Sequence, residues 1–170
     1  MTRKRGRSVI GEANRTVMEP VTSYALVSEN TARRIGRNGG NVMEFGVFQG
    51  ASVGPRPWDE TEPQRIRDDV EMGVEADRAG FDTFWAPEHH CLEEYSHNSS
   101  SHLSCLAVGM RTENIRLVTG IFNLCPPINH PVRVAEQIAY IDILTNGRIE
   151  LGTGRGSGST EVNTFGITNE

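Results

Sequence analysis

The stretch WAPEHH, residues 85–90, ends an apolar run with Glu88, His89 and His90 side by side. A carboxylate next to imidazoles suits proton transfer, because histidine changes charge near neutral pH. If Phe84 and Trp85 end a buried strand, alternation sends His89 and His90 to opposite sides, so one of the pair points into a site. The same alternation makes a single metal shared by both a poor reading. HExxH is absent, and no metal is expected. His97 and His102 are weaker candidates.

A second group of residues lies near the end of the chain. LGTGRGSGSTE places Gly152, Gly154, Gly156 and Gly158 at alternate positions around Arg155. Glycines let backbone N–H groups approach an anion, and an arginine fork matches phosphate oxygens. A helix starting near Ser159 or Thr160 would add its positive end. The stretch contains neither GxGxxG nor a Walker A lysine, and a flexible turn is the competing reading.

These groups need a scaffold, and the chain has the length for one. Its 170 residues can bury one core, and no apolar run approaches the roughly 18 residues that span a bilayer. The net charge of −5 is unevenly spread: residues 1–42 hold eight Lys or Arg against three acids, and the remainder nine against nineteen. An acidic body disfavours nucleic acid, and RKRGR at residues 3–7 reads as a solvated tail. Cys91, Cys105 and Cys125 are odd in number, without CxxC spacing, and read as buried or inert thiols of a cytoplasmic protein.

Residues 1–42 lack sustained periodicity and are expected to be a disordered basic extension or a misread leader, with the folded domain over 43–170. MEFGVF from Met43 reads as a first strand. Ile66, Val70 and Val74 then mark a helix begun by Thr61 and Pro63 and stopped at Gly80. FDTFWA is the second strand, and Leu103, Leu106, Ala107 and Met110 share a helical face. Residues 115–124 form a third strand, Pro131 opens a helix with Val134, Ile138 and Ile141 inward, and RIELGTG is a fourth strand. Strands with continuous apolar runs, alternating with helices, predict an α/β fold with a parallel sheet, either doubly wound or the first half of a (β/α)8 barrel. In both, chemistry belongs at the C-terminal strand ends, here Gln49, Glu88 to His90, Asn123 with Cys125, and the glycines after Leu151.

FDTFWAPEHH, IRLVTGI and NHPVRVAEQIAYIDILTNGRIELGTGRG together resemble the bacterial luciferase-like flavin monooxygenases, and the resemblance covers residues 43–166. EHHCLEEYSH is similar to the limonene monooxygenase-like branch. The resemblance implies a (β/α)8 barrel that uses reduced FMN, supplied by a flavin reductase, and O2 to oxidise an organic substrate; some relatives use a deazaflavin instead. It implies an acid or base role for His89, an adjoining active-site carboxylate in Glu88, support of the strand end by His90, and a grip on the flavin phosphate by Arg155 between Gly154 and Gly156. It also places a non-prolyl cis peptide under the flavin ring, at Phe122–Asn123. Bacterial luciferase has a reactive cysteine where this chain has Gly154, which speaks against light emission.

A (β/α)8 barrel takes eight strands, and four are legible here. The expectation is therefore the N-terminal half of a barrel. It is active when completed, or by pairing as a homodimer or with a complementary half; the alternative is an inactive remnant or scaffold that self-associates. Phe48, Trp85, Phe122, Pro126 and Pro127 suggest an apolar mouth and a small hydrophobic substrate such as a terpene or aldehyde.

Overall fold

The computed structural model describes residues 43–54, 56–57, 61–93, 95–156 and 158–167. The extension expected over residues 1–42 lies outside them. The described elements run β1 (Gly46–Phe48), α1 (Thr61–Ala79), β2 (Thr83–Ala86), α2 (Ser101–Gly109), β3 (Arg116–Thr119), β4 (Phe122–Asn123), α3 (Pro131–Leu144), β5 (Ile149–Glu150), β6 (Thr153–Gly154) and α4 (Ser159–Thr164). Strands β1, β2, β3 and β5 form one parallel sheet in that order, and β4 pairs with β6 in a second.

Register makes two unlike faces of the first sheet. Val47, Phe84, Leu117 and Ile149 stand in one row across it, and Phe48, Trp85, Val118 and Glu150 in the next. The first row packs on Ala76 of α1, Cys105 and Val108 of α2 and Ile141 of α3. Phe84 and Leu117 are wholly buried there, and each contributes about 1.5–3 kcal/mol through burial. Among the described residues no helix lies over the second row, and Phe48 and Trp85 are 56% and 39% exposed. One helix-covered face, one bare face and parallel order describe part of a (β/α)8 barrel, whose interior the bare face would line.

Three expectations need correction. The third and fourth strands are each broken in two, because the chain passes there from one sheet to the other: the Gly120 amide still donates to Ala86, whereas the Phe122 amide donates to Gly152. Thr119 pins the crossing by giving its hydroxyl to the Gly152 carbonyl and accepting the Gly152 amide. A Cβ on Gly152 would lie 2.2 Å from the Thr119 carbonyl oxygen, so glycine is required. The non-prolyl cis peptide lies at Gly120–Ile121, within this crossing, and not at Phe122–Asn123. On α2 the inward face is Ser101, Cys105, Val108 and Gly109, while Leu103 and Met110 are more than half exposed. The helix is short, and its contact with the sheet follows small residues that allow close approach rather than the largest apolar ones.

The N-terminal end of the sheet is closed by Arg148. Its guanidinium donates to the carbonyls of Gly109, Thr112 and Ile115 and to the Thr112 hydroxyl at 2.7–3.1 Å, and its Nε donates to Thr145. Burial pulls the Arg148 pKa below the usual arginine value, against the opposing charges of Asp77 and Glu113. Asp77 in turn accepts the amides of Glu113, Asn114 and Ile115.

Candidate active site

A cleft of about 140 Å³ lies at the opposite, C-terminal end of the strands, lined by Glu88, His89, His90, Gly120, Ile121, Asn123, Gly156, Gly158, Glu161 and Val162. Strand β2 ends at Ala86, so pleated alternation no longer governs residues 88–90, and both histidines line the cleft. That corrects the expectation of one inward histidine, and His90 contributes to the cleft as well as to the strand end.

Glu88 is the most enclosed of the group, with its side chain 1% exposed. Its Oε1 accepts from Asn129 Nδ2 at 2.8 Å, from His90 Nε2 at 3.0 Å and from the Asn123 amide at 3.4 Å. Its Oε2 is buried without a partner among the described residues. Such an atom is costly to leave unmet, and it marks the cleft as built for a further group or a water. His89 contacts Glu161 Oε1 through Nδ1 at 3.1 Å and meets the edge of Tyr95, while His90 packs edge-on against Phe165.

The EHH segment is held from below. Asn98 accepts the His89 amide on its carbonyl and donates its side-chain amide to the Pro87 carbonyl, both at 2.9 Å. The same amide reaches Gln49, which donates to Asp69 of α1, and the partly exposed Arg65 pairs with Asp69. Gln49, Asp69 and Asn98 are at most 7% exposed. A connected polar row of this kind fixes a strand end in one geometry.

Sequence reasoning singled out Glu88, His89, Asn123 and Gly156, and the structure brings these four together around the cleft. Phe122 is wholly buried and stacks on His102 with ring centroids 4.9 Å apart, so it forms no part of an open mouth. Gly154 pairs with Asn123 across β4 and β6, behind the cleft. Arg155 is exposed, and its carbonyl accepts from Asn123 Nδ2. Cys105 is buried and its thiol pKa is pushed up to about 12 by desolvation, whereas Cys91 is exposed and Cys125 half-buried.

Glu161, Asn129 and His102 were missed or ranked low. Glu161 and Asn129 reach the site across 72 and 41 residues of chain, and no local pattern announces such contacts. Asn129 does precede His130 and Pro131, which cap and open α3, so its fixed position has a local cause. His102 lies on α2 with a buried Nδ1 that has no partner among the described residues; burial lowers its pKa, partly opposed by the charge of Glu88. Among the described residues no group of three or more His, Cys, Asp or Glu could hold a metal ion, and no helix is long and apolar enough to cross a membrane.

The luciferase-like monooxygenase family model matches residues 43–170. Limonene 1,2-monooxygenase of Rhodococcus erythropolis is 31% identical over 130 residues, covering 74% of this chain and 31% of that protein. The oxygenase component of a flavin-dependent trigonelline monooxygenase from Acinetobacter baylyi is 31% identical over 60% of this chain and 28% of its own length. The oxygenating constituent of 3,6-diketocamphane monooxygenase from Pseudomonas putida, solved with FMN, superposes with a TM-score of 0.65 at 24% identity, over 75% of this chain and 34% of that one. The chain spans about a third of the length of the relatives it matches. A parallel half-barrel whose polar cleft sits at the C-terminal strand ends, matched by the family model from residue 43 onward, belongs to the luciferase-like monooxygenase family.

Proposed function

We propose that this chain forms the N-terminal, flavin-facing part of a flavin-dependent monooxygenase that uses reduced FMN and O2 on a small hydrophobic substrate. The observation that carries the reading is the cleft itself. Two carboxylate–histidine pairs, Glu88 with His90 and Glu161 with His89, face a wall of Gly120, Gly156 and Gly158 that has no side chains to fill it. The cleft is smaller than the roughly 300–1,000 Å³ of a whole small-molecule site, which fits a part of a flavin rather than all of it.

In this reading the glycine wall admits the flat ring, and Arg155, whose side chain has no partner among the described residues, reaches the phosphate with the amides around Gly154 and Gly156. Asn123 ties that loop to the cleft through the Arg155 carbonyl. A reduced flavin, when bound, supplies the electrons with which O2 is activated. The chain's own task is to handle the accompanying proton at His89 and to hold Glu88 and His90 in a fixed, largely dry arrangement. Exposed Phe48 and Trp85 on the bare face favour an apolar substrate nearby.

The relative described as an oxygenase component supports a separate flavin reductase as partner. Three cysteines, odd in number and without CxxC spacing, suit a reducing, cytoplasmic setting. Titration with FMN, riboflavin and a deazaflavin tests the cofactor: saturable FMN binding is expected, tighter deazaflavin binding would reassign it, and no saturation by any of them would overturn the reading. With reductase, O2 and a panel of terpenes and aldehydes, His89→Ala is expected to lower turnover about 100-fold while flavin affinity changes far less.

The bare face supports a second reading of assembly. Strands β1 and β5 are the two borders of the four-stranded sheet, and parallel borders left unpaired among the described residues, beside an apolar face, invite another half-barrel, either a second copy or a complementary chain. Light scattering with and without FMN decides: a dimer that binds FMN supports completion by a second copy, and a monomer that binds it tightly counts against it.

A further inference from the structure

Glu161 belongs to α4, yet its carboxylate reaches back across the cleft to the EHH segment, and it is only 12% exposed there. One oxygen, Oε1, carries two contacts: the backbone amide of His90 at 2.9 Å and Nδ1 of His89 at 3.1 Å. An amide N–H can only donate, and an ionised Glu161 carboxylate has no proton to give, so Oε1 acts as an acceptor for both contacts. His89 Nδ1 can then approach the same oxygen only with its proton on. When the ring is neutral, that leaves the lone pair on Nε2.

We propose that Glu161 is a positioning residue that holds neutral His89 in the Nδ1–H tautomer and so keeps Nε2 as the basic atom of the cleft. Free imidazole side chains favour the opposite, Nε2–H form, so this state has to be imposed by the fold. Among the described residues, the groups that face the His89 ring are Glu161 from α4 and Tyr95, with Glu88 and His90 beside it in the chain. Glu88 is engaged with His90 and Asn129, and Tyr95 meets the ring by its edge, so Glu161 alone among them sets the proton on Nδ1. Because Glu161 follows the glycine loop, the same contact ties the order of that loop to the proton-handling atom.

Gly158 supplies an independent handle on the contact. A Cβ at this position would sit 2.3 Å from Glu161 Oε2, the end of a flexible side chain, and the backbone φ of −75° accepts any residue. Gly158→Ala therefore displaces the carboxylate without straining the loop.

The role of His89 in catalysis rests on the proposed function, but its tautomer can be read without flavin. The chain has five histidines, so 15N-histidine labelling with long-range ring correlations resolves them, with His89 assigned by its loss in His89→Gln. Spectra are taken at about pH 8.5, two units above the ordinary histidine value, in solution or by magic-angle spinning of sedimented protein. The expected result is Nδ1–H for His89 in the native chain and in Glu161→Gln, whose carbonyl oxygen still accepts, and a shift to mainly Nε2–H in Glu161→Ala and Gly158→Ala. Unchanged signals of His130 and His102 report that the fold is kept. Nε2–H in the native chain would overturn the proposal outright, even if Glu161→Ala failed to fold. So would persistence of Nδ1–H in both Glu161→Ala and Gly158→Ala. Tight FMN binding with the wrong tautomer sinks only this inference, and the right tautomer without flavin binding sinks only the functional reading.

Discussion

The two ends of the sheet treat their polar groups in opposite ways. At the N-terminal end Arg148 satisfies carbonyls from α2, from the loop before β3 and from the end of α3, and Asp77 accepts three successive amides. At the C-terminal end Glu88 Oε2 and His102 Nδ1 are buried and unmet among the described residues. Saturated polar groups lock elements together, whereas unmet ones are retained where a ligand, water or proton is to be received. The first end is therefore read as stability and the second as chemistry, as in barrels generally.

The largest effect that sharpens this contrast is expected from Arg148→Met. It leaves several buried carbonyls without a donor and is expected to cost about 3 kcal/mol or more, at 1–3 kcal/mol for each unmet group after partial relaxation. Urea unfolding measures the loss. A variant as stable as the native chain would remove the structural role of the clasp.

Arg155→Ala should do the reverse. Its side chain is exposed and should leave unfolding unchanged, while the loss of a charge-assisted fork to phosphate weakens FMN by roughly 1.5–3 kcal/mol. Riboflavin, lacking the phosphate, serves as the control in the same titration. Equal weakening of both ligands would deny Arg155 the phosphate.

A smaller effect concerns His102. Burial holds its pKa below the ordinary value, so the folded chain resists a proton that the unfolded chain accepts. Its contribution to stability is complete above the ordinary pKa of ~6.5 and is lost as pH falls through the lower folded value. The urea midpoint of the native chain is expected to drop between about pH 7 and pH 5 more than that of His102→Gln, which has no such proton to refuse. Parallel profiles would show that the ring protonates freely in the fold.

The smallest contrast is chemical. Cys91 is expected to be alkylated at about pH 8 in the folded chain, while Cys105, with its thiol pushed up to about 12, stays protected until the chain unfolds. Mass spectrometry of the two peptides separates them, and early labelling of Cys105 would mean that the covered face opens readily.

Much of this was legible along the chain. Apolar runs and their spacing located the parallel strands and α1, α2 and α3, because those signals are local and repeat at the period of each element. The EHH segment and the glycines around Arg155 stood out because chemistry-bearing types are rarely spent at strand ends without use. The pairing of His89 with Glu161, the orphaned oxygen of Glu88 and the division of two strands between two sheets were decided by tertiary structure alone. Each depends on which distant backbone or side chain arrives within about 3 Å, and a linear pattern carries no such distance. The bare face lies between these cases: alternation puts Phe48 on the side opposite Val47 and Trp85 on the side opposite Phe84, but only the register of β1 with β2 and the placement of α1, α2 and α3 brought Phe48 and Trp85 together on the side those helices leave uncovered.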